Sequence, residues 1–146
     1  MRVQSICVVF LVGVLPILFV SWSLIQTYNQ RAVNQRISDL QNQGNSMANL
    51  IQSTGYLTTQ DKAEVNTEIS QIAGIYEGRI IIVNQNLQII KDTYGLEEGK
   101  TLIAESVIKT LRGTSKNTYF QNKSRNYIEM TVPITHNSTK EIMGVL

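Results

Sequence analysis

Residues 80–90, which read IIIVNQNLQII, decide the fold predicted for this chain. Ile80–Val83 is an unbroken run of β-branched residues, which is typical of a central strand that is covered on both faces. The polar residues NQN at 84–86 predict a turn, and Leu87–Ile90 predicts a second strand. This stretch therefore predicts a β-hairpin whose first strand is central in its sheet.

The residues after the hairpin predict a loop at 92–99, a helix at Thr101–Leu111 and three further strands. The strands are expected at Thr118–Gln121, Asn126–Ile134 and Ile142–Leu146. In the middle strand, apolar residues alternate with polar ones, so the two sets should face opposite sides of the sheet; the apolar set is Ile128, Met130 and Val132, and the other is Tyr127, Glu129 and Thr131. Pro133 suits a strand end or an edge strand. Together these elements predict an α+β fold with a five-stranded antiparallel sheet, helices on one side, and a last strand cut short at Leu146.

Two helical segments precede the hairpin. Thr58 and Asp61 have capping-box spacing and predict the start of a short helix that ends at Gly74. Before the break at residues 53–55, the polar segment 28–53 carries apolar residues at heptad spacing, which predicts a helix that dimerises in parallel. The alternative is an amphipathic helix that lies on its own domain, and the two are compatible. The residues of the predicted dimer seam are Val33, Ile37, Leu40, Met47 and Ile51.

The N-terminal stretch has the composition of a membrane span. Val3–Gln30 contains no charged residue, and its centre, Ile6–Ile25, is almost continuously apolar. A stretch of about 20 apolar residues crosses a bilayer as a helix, because lipid offers no partners to the backbone. We therefore expect a transmembrane helix at 6–27, with residues 1–5 on one side of the membrane and the remainder of the chain on the other. A signal peptide cleaved near residues 21–23 is the alternative, which the length of the apolar run and an interfacial Trp22 disfavour.

The composition narrows the chemistry that this chain can perform. Its single cysteine, Cys7, lies in the apolar stretch and its single histidine is His136, which excludes a disulfide framework and His-rich metal sites. The formal net charge of +2 gives no argument for nucleic acid as a partner. Gly-rich phosphate loops, HExxH and GxSxG are absent from the sequence. We therefore predict no catalytic residue, metal or cofactor within these 146 residues.

Three stretches resemble the extracytoplasmic PAS-like (Cache-type) sensor domains of bacterial sensor histidine kinases and chemoreceptors. They are GRIIIVNQNLQIIKDTYGLEEGKTL at 78–102, VIKTLRG at 107–113 and RNYIEMTVPITHNSTKEIMGVL at 125–146. The family usually has Asp and Gly in the hairpin turn where this chain has Asn84 and Asn86, and asparagine also suits a turn.

The resemblance implies that residues 54–146 form a truncated sensor domain, usually dimeric, that signals across the membrane. It also implies that residues 1–5 lie in the cytoplasm and that the bulk of the chain lies outside the cell membrane. We therefore expect this chain to be the N-terminal part of a two-component sensor histidine kinase, which senses a signal outside the cell and transmits it across the membrane. The alternatives are the sensor half of a chemotaxis receptor, or a single-span anchored extracellular interaction protein. The kinase region, with its ATP and Mg²⁺ and its contact to a response regulator, would lie beyond residue 146.

Several side chains are candidates for binding a small-molecule or envelope ligand between the sheet and the loop-helix segment. These are Tyr94, Tyr119, Arg125 and Tyr127, because tyrosine stacks and donates and arginine pairs with carboxylates. The loop acids Asp92, Glu97 and Glu98 could hold a hard cation, although a solvated acidic loop is favoured. The run from Lys109 to Arg125 contains five basic residues and no acid, which indicates either a solvated helix end or a surface for anions.

Overall fold

The computed structural model describes residues 2–59, 62–114, 119–122 and 127–146. Within these ranges, side chains are described except those of residues 2–11, 26, 29, 30, 33 and 119–122. The chain divides into two compact units, Met1–Leu40 and Gln41–Leu146.

The first helix, α1, extends over Arg2–Thr54 and includes Pro16. The helix ends at Thr54, within the break predicted at residues 53–55. The next residue, Gly55, has a φ of 66°, which is the left-handed conformation that favours glycine. In the unit Met1–Leu40, large apolar side chains from Val12 to Ile25 are exposed. A search limited to the described residues finds no helix that is apolar over enough length to span a membrane.

The second unit, Gln41–Leu146, has an α+β fold, as predicted. Its elements after α1 are α2 (Tyr56–Thr59), α3 (Ala63–Ile75), β1 (Ile81–Asn84), β2 (Ile89–Asp92), α4 (Glu105–Leu111), β3 (Tyr119–Asn122), β4 (Tyr127–Met130), β5 (Pro133–Thr135) and β6 (Ile142–Val145). The predicted hairpin is confirmed, because β1 and β2 pair antiparallel with Ile81 opposite Asp92.

The prediction of one five-stranded sheet is wrong. The described strands form a four-stranded antiparallel sheet in the order β2-β1-β6-β5 and a separate β3-β4 ladder. The predicted strand Asn126–Ile134 divides because its two halves have different partners: Met130 pairs with Tyr119, whereas Val132 exchanges both backbone hydrogen bonds with Leu146. Pro133 then opens the edge strand β5, where a missing N–H is tolerated.

Helices cover both faces of the sheet, so the prediction of helices on one side is also wrong. Successive residues of a strand point to opposite faces. In β1, Ile82 packs with the side chains of α1 and α3, whereas Val83 packs with Val107 of α4. Both are almost fully buried, as predicted for a central strand that is covered on both faces.

The ends of the helices differ from the predicted ones for local reasons. Thr58 is not the N-cap of α3: it lies inside α2, and the N-cap of α3 is Lys62, while Asp61 lies outside the described residues. At the other end of α3, the left-handed residue is Glu77 rather than Gly74. The N–H of Glu77 donates to the carbonyl of Gly74, and the N–H of Gly78 donates to that of Ala73, which is a Schellman motif.

The helix predicted at Thr101–Leu111 begins four residues later, at Glu105. The first residues are extended because they pair with the hairpin: Thr101 bridges to Gln88, and the N–H of Leu102 donates to the carbonyl of Leu87. This pairing is non-local, which is why helix propensity alone missed it.

Candidate functional site

Among the described polar groups, the carboxylate of Asp92, at the end of β2, accepts the most hydrogen bonds. Its side chain is fully buried and accepts hydrogen bonds from Arg79 Nε at 2.8 Å and Arg79 Nη2 at 2.7 Å. The backbone N–H groups of Tyr94, Leu96 and Glu97 also donate to it, at 3.0, 2.9 and 3.1 Å. One carboxylate therefore organises the turn that follows β2.

The surrounding charges are paired as well. Arg79 Nη2 also donates to Glu97 Oε2 at 2.8 Å, and its guanidinium lies 5.7 Å from the centre of the Tyr94 ring. Lys91 Nζ lies 2.7 Å from Glu98 Oε1, and this oxygen also accepts the N–H of Asp92. We call these six residues the Asp92 cluster; they are Arg79, Lys91, Asp92, Tyr94, Glu97 and Glu98.

The hydrogen bonds determine the ionisation of this cluster. Donation by Arg79, helped by the backbone N–H groups, outweighs burial and holds the pKa of Asp92 far below its usual value of 3.8. The hydrogen bond from Lys91 lowers the pKa of Glu98 and, reciprocally, raises that of Lys91. Beneath the cluster, burial raises the pKa of Tyr56, whose hydroxyl donates to Asn66 Oδ1.

This arrangement is suited to holding a loop in place. A carboxylate that already accepts five hydrogen bonds and stays ionised has little basicity left for proton transfer. The acids considered for a hard cation are paired instead with Arg79 and Lys91. Among the described residues, no group of three or more His, Cys, Asp or Glu side chains could hold a metal.

Sequence reasoning missed Arg79, although a signal was present. Arg79 and Asp92 flank the two strands of a hairpin, and antiparallel pairing brings such ends together. Opposite charges at the two ends of a predicted hairpin are therefore expected to meet.

A second set of polar contacts joins α4 to β4 and the residue that follows it. Ser106 Oγ donates to Glu129 Oε1 at 2.9 Å, and the hydroxyls of Thr110 and Thr131 lie 2.8 Å apart in the interior. This confirms the predicted alternation along this segment, since Val132 belongs to the core on the opposite face and Met130 packs against it. The face on which a ligand was expected is thus occupied by α4 at these positions.

Of the four predicted ligand-binding residues, the structure describes the side chains of Tyr94 and Tyr127 and the backbone of Tyr119. Tyr94 is 57% exposed in the Asp92 cluster, and Tyr127 is 45% exposed on β4. Tyr119 pairs with Met130 and Tyr127 pairs with Asn122, so the two tyrosines lie at opposite ends of the β3-β4 ladder. Arg125 lies outside the described residues.

The residues of the predicted dimer seam have different environments. Met47 and Ile51 are 1% and 0% exposed, in the core that also contains Val65 and Ile69 of α3. These two side chains therefore pack within a single chain. This agrees with the alternative prediction, in which the amphipathic helix lies on its own domain. Ile37 is buried, Leu40 is half-buried and the side chain of Val33 lies outside the description.

Gly44 of α1 has a role in packing. A Cβ at this position would lie 2.9 Å from Cγ2 of the buried Val132. The absence of a side chain allows α1 to approach the sheet closely, which the heptad pattern could not reveal.

The surface grooves among the described residues include the following two. One, of about 490 Å³, lies between α1 and α3 and includes Gln43, Ile72 and Tyr76. The other, of about 430 Å³, lies at the C-terminal end of α4 and includes Arg112 and Lys140. Among the predicted ligand-binding residues whose side chains are described, neither Tyr94 nor Tyr127 lines these grooves.

Comparison with known proteins adds no family assignment: no family model matches the chain, and no curated protein is significantly similar to it. Its function is therefore argued from the sequence and from the contacts described above.

Proposed function

We propose that this chain is the membrane-anchored, extracytoplasmic sensing part of a two-component sensor histidine kinase. The resemblance to Cache-type domains suggested this function from the order of hairpin, helix and final strand pair. The antiparallel sheet supports the proposal because the hairpin strand β1 and the last strand β6 are neighbours at its centre. Along the chain, the β3-β4 ladder lies between the helix α4 and the final strand pair β5-β6.

The observation that carries the proposal is that α1 has an exposed apolar part and also supplies side chains to a domain core. Its Val12–Ile25 part presents large apolar side chains to the surroundings, Phe19 and Val12 each being 69% exposed. Exposed apolar surface of this extent marks contact with lipid or with another protein. The same helix supplies Met47 and Ile51 to the core of the second unit.

The proposed mechanism is a population shift. A ligand that binds one packing of α1 against the sheet more tightly than another favours that packing by the difference in its affinities. Met47, Ala48 and Ile51 are the side chains through which such a change would reach α1. In the proposed homodimer, Leu40 remains available for contact because it is half-buried in the single chain.

Membrane anchoring is tested with the full chain expressed in bacteria and fractionated, followed by extraction of the membranes with alkaline carbonate. The native chain should stay in the membrane pellet. The double variant Leu15→Arg/Leu18→Arg should lose membrane insertion, because each arginine near the centre of a span costs about 3 kcal/mol.

The matched control is Leu15→Ala/Leu18→Ala, which shortens the same side chains without adding charge and should remain in the pellet. Release of the native chain by carbonate would contradict the anchoring part of the proposal.

Sequencing the gene beyond codon 146 tests the signalling part. We expect a second apolar segment of about 20 residues and then a region with a phosphoacceptor histidine and an ATP-binding domain. A stop codon within a few residues would refute the kinase assignment and leave an anchored extracellular binding protein. A methyl-accepting helical region would instead indicate a chemotaxis receptor.

A further inference from the structure

The groove at the C-terminal end of α4 combines elements that are distant in sequence. Leu111, Arg112 and Gly113 line it from the helix end, and Lys140, Glu141 and Ile142 line it from the segment that enters β6. Gln85 closes the groove from the β1–β2 turn, and its Nε2 donates to the carbonyl of Ile142 at 2.7 Å. The volume of about 430 Å³ is within the range of small-ligand sites.

The charge of this groove is positive. Arg112 and Lys140 both line it, and neither forms an ion pair with a described residue. The neighbouring Lys109, by contrast, is paired with Glu105 at 2.6 Å. The carboxylate of Glu141 is the one acid among the described residues that line the groove.

The C-terminal end of α4 repels an anion less strongly than a helix C-terminus whose carbonyl groups are unsatisfied. A helix C-terminus repels anions through its unsatisfied carbonyl groups. Here the N–H groups of Arg112, Gly113 and Thr114 donate to the carbonyls of Ile108, Thr110 and Lys109. The hydroxyl of Thr114 donates to the carbonyl of Lys109 as well, so these carbonyls are already satisfied.

Arg112 alone would be explained by the ordinary preference of cations for the last turn of a helix. Lys140 is not explained in this way, since it comes from the turn before β6, where its φ is 59°. Two basic residues carried by separate elements therefore line one concave surface.

We propose that this groove binds a phosphate group, with the Arg112 guanidinium as the directional partner and the Lys140 ammonium as the second positive charge. A planar guanidinium forms two parallel hydrogen bonds with phosphate oxygens, and an ammonium adds a point charge. The phosphate could belong to a small soluble molecule or to a lipid headgroup. This site is independent of the proposed signalling function.

The proposal is tested by nuclear magnetic resonance on the ¹⁵N-labelled full chain in zwitterionic detergent micelles, titrated with inorganic phosphate. We expect saturable shifts of the Gly113 and Ile142 amides. Arg112→Gln should weaken phosphate binding about three- to tenfold, as should Lys140→Asn, because each removes one cation from the groove. Asparagine suits the left-handed backbone at 140, so this variant keeps the turn.

Two controls separate site binding from general charge effects. Lys62→Gln removes a cation from the segment before α3, which packs on the other face of the sheet, and should leave phosphate binding unchanged. Glu141→Gln removes the acid from the groove and should tighten binding. Equal affinity in native chain and Arg112→Gln, or equal weakening by Lys62→Gln, would overturn the proposal.

The source of the phosphate is distinguished in nanodiscs. If phosphatidylglycerol discs shift the Gly113 amide at a lower phosphate concentration than free phosphate does, and phosphatidylcholine discs do not shift it, the site binds a lipid headgroup. If free phosphate alone produces the shift, the site binds a soluble phosphate compound. If neither produces it, the proposal is wrong.

Discussion

Replacing the buried carboxylate in Asp92→Asn should destabilise the second unit by about 3 kcal/mol. Each carboxylate oxygen of Asp92 serves at least two donors: one accepts Arg79 Nε and the Tyr94 N–H, and the other accepts Arg79 Nη2 and the N–H groups of Leu96 and Glu97. Asparagine keeps only one acceptor oxygen. In either orientation of its amide, at least two donors lose their acceptor and Arg79 loses its buried counter-charge.

The magnitude follows from the type of interaction that is lost. Removing one partner of a buried ion pair costs about 3–5 kcal/mol, and a hydrogen bond to a charged group contributes about 1.5–3 kcal/mol. We take the lower end because the Arg79 side chain is 29% exposed and keeps Glu97 as a partner.

The assay is native-state hydrogen exchange of the full chain, followed at the β1 and β2 amides. If these amides exchange through global unfolding, a loss of about 3 kcal/mol raises their exchange rates by about 150-fold. The matched control is Glu97→Gln, which removes a carboxylate that is 40% exposed and bonded to the same arginine. This control should cost less than about 1 kcal/mol.

Equal exchange rates in Asp92→Asn and Glu97→Gln would refute the reasoning. Such a result would mean that the buried carboxylate contributes no more than its exposed neighbour, so the Asp92 cluster would not be what holds the loop to the hairpin.

Further predictions concern backbone positions and pH. Gly144→Ala should destabilise the sheet by about 3 kcal/mol, because a Cβ would lie 2.5 Å from the backbone oxygen of Val83. Its control, Gly74→Ala, meets no atom within 4 Å and should stabilise α3 by about 0.5–1 kcal/mol; urea unfolding of both variants measures the difference. Glu77→Gly should stabilise the fold by about 0.5–1 kcal/mol in the same assay, since it relieves a non-glycine residue with φ 51°. The folded-state pKa of Asp92 is lowered from 3.8, so its contribution to stability is present above that pH and is lost as the pH falls through the folded value. Acid titration of stability should therefore show a steeper loss below about pH 4 in the native chain than in Asp92→Asn, and parallel curves would contradict this.

The sequence indicates some of the residues of each candidate site and does not indicate others. The loop acids and Tyr94 could be picked out from residues 92–98, but their cations could not, because Arg79 is brought to Asp92 by hairpin pairing. Likewise, the basic residue Arg112 was visible in the sequence, whereas Lys140 joins it only through the packing of α4 beside β6.

The sequence by itself determined the α+β class, the hairpin with its buried first strand and the alternation along Tyr127–Val132, since these follow from local propensity and from the period of side chains in a strand. Only the tertiary structure decided how strands share partners and which faces are covered. The segment 126–134 is divided between two ladders because Val132 pairs with Leu146, fourteen residues away. Met47 and Ile51 have heptad spacing that suits either a dimer or an internal core, and their contacts with the sheet and α3 place them in the core. Such outcomes depend on which distant surfaces are buried together, and a local pattern does not contain that information.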